Sequence, residues 1–272
     1  MLSLDAPLVA VVWLYMFAKA TRVDFLPWSA YIALALIVWI IYVADRLIDA
    51  SLPEASSGRL EARHDFHRKH QRVFRLLLKI AALAAVAIVV TNMPRAIYGY
   101  SVLGGIMISG FFTLSFFSSS GPNEIPHAKN IIAGLTFAYG TAMVAHVFSS
   151  REMTELIRSY EFICFAVLCI LNISAIDLWE HSARFSDQEI KAGDELSLTL
   201  PLTLLGAASL VFALKDPDPL LTRPFFYSIL TGAALLQILN RTRQRFSMDA
   251  LRVLADVALL VPFLVFLVSS RQ

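Results

Sequence analysis

The chain has 272 residues, of which 57% are hydrophobic and only 16% charged, with a formal net charge of +2. Soluble domains are about 45–50% apolar and about 25% charged. Here the mean hydropathy is +0.65 and the apolar residues fall in long runs, which excludes a soluble globular enzyme, gives no reason to expect a nucleic-acid partner, and reads as an integral membrane protein.

In chain order, nine apolar segments are candidate membrane helices: about 7–20, 28–44, 73–91, 95–117, 127–149, 161–179, 196–214, 224–240 and 249–268. A helix needs about 20 residues to cross the hydrocarbon core, and the first segment is the shortest. Asp5, and no basic cluster, precedes it, so it is expected as a retained helix and not as a cleaved signal peptide. Pro27, Pro94, Pro126 and Pro224 lie at or near helix starts, where a missing N–H is tolerated. Pro201 and Pro262 lie inside segments and predict kinks. Cys164 and Cys169 share one apolar run on different helix faces and are expected as buried packing residues. The expected fold is all-α: a polytopic membrane helical bundle of about nine transmembrane helices, forming a single domain over residues 1–272.

Charge orients the bundle. Arg46 to Lys79 holds eight Lys or Arg and four acids, so residues 46–72 are expected on the cytoplasmic side. Arg241, Arg243 and Arg245 fall on the same side if there are nine spans, as do the links with Lys129, Arg184 and Lys191. The N-terminus is then inside and the C-terminus outside. Within the basic link, His64, His67 and His70 recur every third residue. They drift around a helix, so a basic surface against lipid headgroups or phosphate is a better reading than a metal site. His146 stands alone in mid-span and is expected as a hydrogen-bonded interior residue.

Two polar groups stand at helix ends. Asp45 and Asp49 close the second segment four residues apart on one face. Such a pair at a membrane boundary needs compensation; its natural use is to hold Mg²⁺, which binds through one or two carboxylates plus substrate phosphates. The second group runs from Asn172 to His181. Asp177, Glu180 and His181 are spaced i, i+3, i+4 and so share a face. By helix parity both groups lie on the cytoplasmic side, where they can flank a common cavity. Arg252 and Asp256, four apart in the last segment, read as a structural ion pair, with the cavity mouth as the alternative.

With those residues in view, the chain resembles the UbiA superfamily of intramembrane prenyltransferases. Ala44-Asp45-Arg46-Leu47-Ile48-Asp49 matches the last six positions of that family's first motif, N-D-x-x-D-x-x-x-D. Ile41 and Tyr42 stand where the family carries Asn and Asp. Asp177 and Glu180 fall where its second acidic motif lies, with His181 in place of the closing Asp. Lys129-Asn130 and the stretch Lys191 to Pro201 are similar to the starts of its fifth and seventh helices. The resemblance implies Mg²⁺ held by Asp45, Asp49, Asp177 and Glu180, which would be the catalytic residues. It implies diphosphate binding by Arg46, Lys129 and Lys191, with Asn172 and His181 as further substrate contacts. The implied reaction transfers a prenyl group from a prenyl diphosphate to an aromatic or other lipophilic acceptor within the membrane. Phe111, Phe112, Phe116, Phe117, Phe137 and Tyr139 would be available to line the isoprenoid tunnel. Two competing readings follow from the departures and the acids: a noncatalytic relative that binds a polyprenyl lipid, and a small transporter. Acids clustered at helix ends on one side argue against the transporter.

Overall fold

Lipid offers backbone groups no hydrogen-bond partners, so long apolar stretches fold as helices that satisfy their own N–H and C=O groups. The computed structural model describes residues 4–49, 71–117, 127–149, 151–215 and 222–270. Within them the chain forms α1 (Asp5–Ala20), α2 (Trp28–Asp49), α3 (Gln71–Asn92), α4 (Ile97–Phe117), α5 (His127–Val147), the short α6 (Met153–Arg158), α7 (Tyr160–Arg184), α8 (Gln188–Lys215), α9 (Thr222–Thr242), a 3₁₀ turn (Arg243–Arg245), α10 (Met248–Leu260) and α11 (Pro262–Ser269). This is an all-α bundle with the character of a polytopic membrane protein.

Among the described residues, seven stretches are both long and apolar enough to cross a membrane: Trp28–Ile48, Arg72–Asn92, Ile97–Phe116, His127–Val147, Tyr160–Arg184, Gln188–Lys215 and Met248–Ser269. The two remaining expected spans are α1 and α9. The 16 residues of α1 make a helix of about 24 Å, short of the ~30 Å hydrocarbon core. The 21-residue α9 is long enough but carries Arg223, Gln237, Asn240 and Arg241. Both helices face protein. Trp13, Leu14 and Met16 of α1 are inaccessible, and α9 packs most extensively along α8.

Aromatic stacking fixes α1 at the centre. The Trp13 ring lies 4.4 Å from Phe165 of α7 and meets Phe225 of α9 edge-on at 5.6 Å. Its indole N–H donates to the carbonyl of Leu259 at 2.9 Å. Small residues set the next contact, as is usual where lipid supplies no hydrophobic drive between helices. A Cβ on Gly134 of α5 would lie 2.6 Å from the backbone N of Ile170, so only glycine lets α5 and α7 approach this closely. By contrast α3 has only 17% of its span buried. It touches α2 through Phe74, which packs on Val43 and Leu47, and its exposed Leu76, Ile80, Leu83, Val86 and Val90 suit contact with lipid.

One expectation about a helix end changes. The link after α7 is shorter than its polarity suggests, because α8 starts at Gln188 and not near 196. The added turns are held from outside the helix: Asp194 Oδ2 meets His181 Nδ1 at 2.8 Å, and Arg243 donates to Glu195 Oε2 at 3.0 Å. Of the two internal prolines, Pro201 sits within a continuous α8, whereas Pro262 opens α11 and divides the last span at Val261.

Candidate functional site

The end of α2 is amphipathic by sequence: Val43 and Leu47 turn outward to α3, leaving Tyr42, Asp45 and Arg46 on the inner face. That face borders a cavity of about 480 Å³ enclosed by α1, α2, α4, α5, α7 and α10. Asp45, Arg46, Lys129, Asn172, Asp177 and Glu180 all line it, so helix ends more than a hundred residues apart supply one site. Arg252 and Asp256 line it too. The other end is apolar, with Leu34, Val38, Ile108, Phe137 and Met143. The cavity is therefore amphipathic, charged at one end of the bundle and greasy within it.

Contacts between and along the helices organise the charged end. Lys129 Nζ of α5 lies 3.8 Å from Asp45 Oδ1. Asn130 Nδ2 donates to Asp177 Oδ2 at 2.8 Å. Arg252 donates from Nη2 and Nε to the same Glu180 oxygen, at 2.7 and 3.3 Å, and Arg184 approaches the other oxygen at 3.8 Å. Arg46 donates to the Tyr42 hydroxyl at 3.1 Å and lies over its ring. Asn172 donates to the Ala255 carbonyl at 2.8 Å, tying α7 to α10. Low local dielectric makes such charge-assisted bonds strong and their loss expensive.

Several expected site residues lie elsewhere. His181 shares a helix face with Asp177 and Glu180 in projection, but its ring turns to Asp194 of α8 and does not line the cavity. Lys191 also lies outside the lining; its carbonyl accepts from Arg243. The side chain of Asp49 is outside the described residues, as are His64, His67, His70 and the side chain of Phe117. Phe111, Phe137 and Tyr139 line the cavity, whereas Phe112 and Phe116 do not. The Tyr139 hydroxyl donates to the Tyr100 carbonyl at 3.0 Å. Cys164 and Cys169 are free thiols and buried. His146 is buried and bonded to the Glu152 carbonyl at 2.8 Å.

Sequence spacing missed two features. Arg252 reaches Glu180, on another helix, as well as Asp249 on its own. A second polar network joins Trp179, Glu195, Thr199, Asn240 and Arg243 at the ends of α7, α8 and α9. A smaller cavity of about 230 Å³ lies at the opposite end of the bundle, near Arg22, His146 and Arg151. Trp13, Phe17 and Phe165 stack between the two.

The carboxylates present hard oxygen donors, the type Mg²⁺ prefers. Among the described residues no three of His, Cys, Asp and Glu cluster closely enough to hold a metal by themselves. No family model, curated protein or solved structure matches the chain.

Proposed function

We propose that this protein is a Mg²⁺-dependent membrane transferase, moving a prenyl group from a prenyl diphosphate to an aromatic or other lipophilic acceptor. The observation that carries this reading is the single cavity in which Asp45, Arg46, Lys129, Asn172, Asp177 and Glu180 meet above an apolar interior. The finer fold is proposed with it: nine crossings in the manner of the UbiA superfamily, the short α1 and the polar α9 being tolerated because they pack against protein and need not match the lipid on their own. The charged mouth faces the cytoplasm, a placement supported by the basic link at 46–72.

The donor set suits an ion that arrives with its diphosphate, because Mg²⁺ uses only one or two carboxylates of its own. Asp45 and Asp49 would hold one such ion, and Asp177 with Glu180 a second. When bound, the ions supply positive charge to the leaving diphosphate. The chain's own residues do the rest. Lys129, Arg46 and Arg252 bind phosphate oxygens by charge-assisted hydrogen bonds. The allylic C–O bond breaks, its electron pair leaving with the diphosphate. The aromatic faces of Phe111 and Phe137 stabilise the carbocation, and the apolar walls keep water from it. The acceptor attacks the cation and loses a proton to complete the transfer.

A second reading is favoured by one observation. Asp45, Asp177 and Glu180 each already have a protein partner in Lys129, Asn130 and Arg252. Such a balanced network also suits a noncatalytic protein that holds a polyprenyl lipid. Phosphorus NMR of purified protein with short prenyl diphosphates separates the two. Release of diphosphate that needs Mg²⁺ and is lost in Asp177→Asn supports the transferase. Binding without release, across a panel of aromatic and lipid acceptors, supports the lipid-binding protein.

A further inference from the structure

The smaller cavity, about 230 Å³ at the end of the bundle away from the carboxylates, has a charged lining of its own. Arg22, Arg151, Glu155 and Glu161 border it, together with the buried His146. Phe17 also lines it and meets Phe165 edge-on at 5.3 Å, in the stack that separates it from the larger cavity.

Arg22 is the one non-glycine residue with a positive φ, 58°, among the described residues. It follows the C-cap of α1. Its N–H donates to the Lys19 carbonyl at 3.1 Å, and that of Val23 to the Ala18 carbonyl at 2.8 Å. This is the Schellman pattern, in which glycine is the usual residue because a Cβ disfavours left-handed backbone. The cap uses only the backbone of Arg22, so it does not account for the arginine. What the side chain gains is a place at the cavity, and strained residues of this kind cluster at binding sites. Arg151 lies just before α6, and among the described residues its guanidinium has no hydrogen-bond or ion-pair partner. His146 Nε2 meets the Glu152 carbonyl at 2.8 Å, which ties this segment to α5.

Exposed aromatic residues give the depth of the cavity. Phe25 and Trp28 follow Arg22, and Tyr160 opens α7 one residue before Glu161; they are 76%, 82% and 60% exposed. Trp and Tyr at the ends of membrane helices sit among lipid headgroups. The cavity is also smaller than the ~300–1,000 Å³ of pockets for drug-sized ligands, which suits a headgroup. Two arginines fit a phosphate through charge-assisted hydrogen bonds. The two glutamates beside them fit a primary ammonium, which has N–H groups to donate where a quaternary one has none.

We propose that this cavity binds a lipid headgroup carrying a phosphate and a primary ammonium, with Arg22 and Arg151 on the phosphate and Glu155 and Glu161 on the ammonium. The site is separate from the carboxylate cavity, and the proposal does not rest on the transferase reading.

The test is native mass spectrometry of the full-length protein in detergent, titrated with phosphatidylethanolamine, phosphatidylcholine or phosphatidylglycerol of identical acyl chains. The ethanolamine lipid is expected to bind about tenfold more tightly than either of the others. Arg151→Gln should weaken its binding about tenfold, and Glu155→Gln should erase its advantage over the choline lipid. Arg22→Gly should weaken binding while leaving the unfolding temperature of lipid-free protein unchanged or raised, because glycine suits the cap. Arg158→Gln removes a cation of α6 that does not line the cavity, and should change nothing. No preference for the ethanolamine lipid, unchanged affinity in Arg22→Gly, or equal losses in Arg151→Gln and Arg158→Gln would overturn the proposal. So would displacement of the lipid by an equal concentration of free O-phosphoethanolamine, since the site would then belong to a soluble molecule.

Discussion

Arg252 shows how far a side chain's partner can lie from its sequence neighbours. Its i, i+4 spacing to Asp256 suggests a pair within one helix, yet it donates twice to Glu180, 72 residues away. Nothing in local spacing encodes which helix end will face it. The acids themselves are legible, because charge at the end of an apolar run is costly and stands out. Their partners are not, since those depend on which helices become neighbours. Tyr42 is a similar case: the sequence shows only a missing carboxylate, and the structure shows a hydroxyl that positions Arg46. Arg252→Met leaves Glu180 without its strongest partner and is expected to destabilise the protein by about 1–3 kcal/mol. Adding Glu180→Gln should recover part of that loss, so the two effects should not add. Thermal unfolding of the single and double variants in detergent measures this, and strict additivity would count against the pair.

At the scale of the helices, the apolar runs were readable and their ends were less so. A run of Leu, Ile, Val and Ala in a membrane protein has no alternative to helix, and α2 to α5 and α7 lie close to where hydropathy puts them. The start of α8 was hidden because Gln188 to Glu195 is polar enough to read as a link; its helix is held by His181 and Arg243 from outside. The close approach of α5 and α7 was also hidden, since one glycine among many carries no mark of its neighbour. Gly134→Ala would drive a methyl group into the Ile170 backbone and is expected to cost about 1–3 kcal/mol. Gly140→Ala, six residues along the same helix, has nothing within 4 Å and is expected to be nearly silent. Unfolding temperatures of the two variants test the contrast; equal shifts would mean that α5 and α7 do not meet at Gly134.

For the whole molecule, composition established the membrane bundle, and helix parity brought the acidic ends of α2 and α7 to one side. Parity could not show that α1 and α9 face protein, nor that α10 brings Arg252 and Asp256 to the same cavity. The proposed orientation in the membrane rests on the basic link after α2. A cysteine at Ser57 is expected to resist impermeant reagents added outside intact cells; labelling from outside would invert the bundle. The central claim is that the carboxylates and the apolar cavity together bind a prenyl diphosphate with Mg²⁺. Its most direct measurement is the binding of a short prenyl diphosphate to purified protein, with and without Mg²⁺, in the natural chain and in Asp45→Asn and Asp177→Asn. The expected result is Mg²⁺-dependent binding weakened about tenfold or more in each variant, the loss of one charge-assisted contact. Binding that ignores both Mg²⁺ and the two aspartates would contradict it.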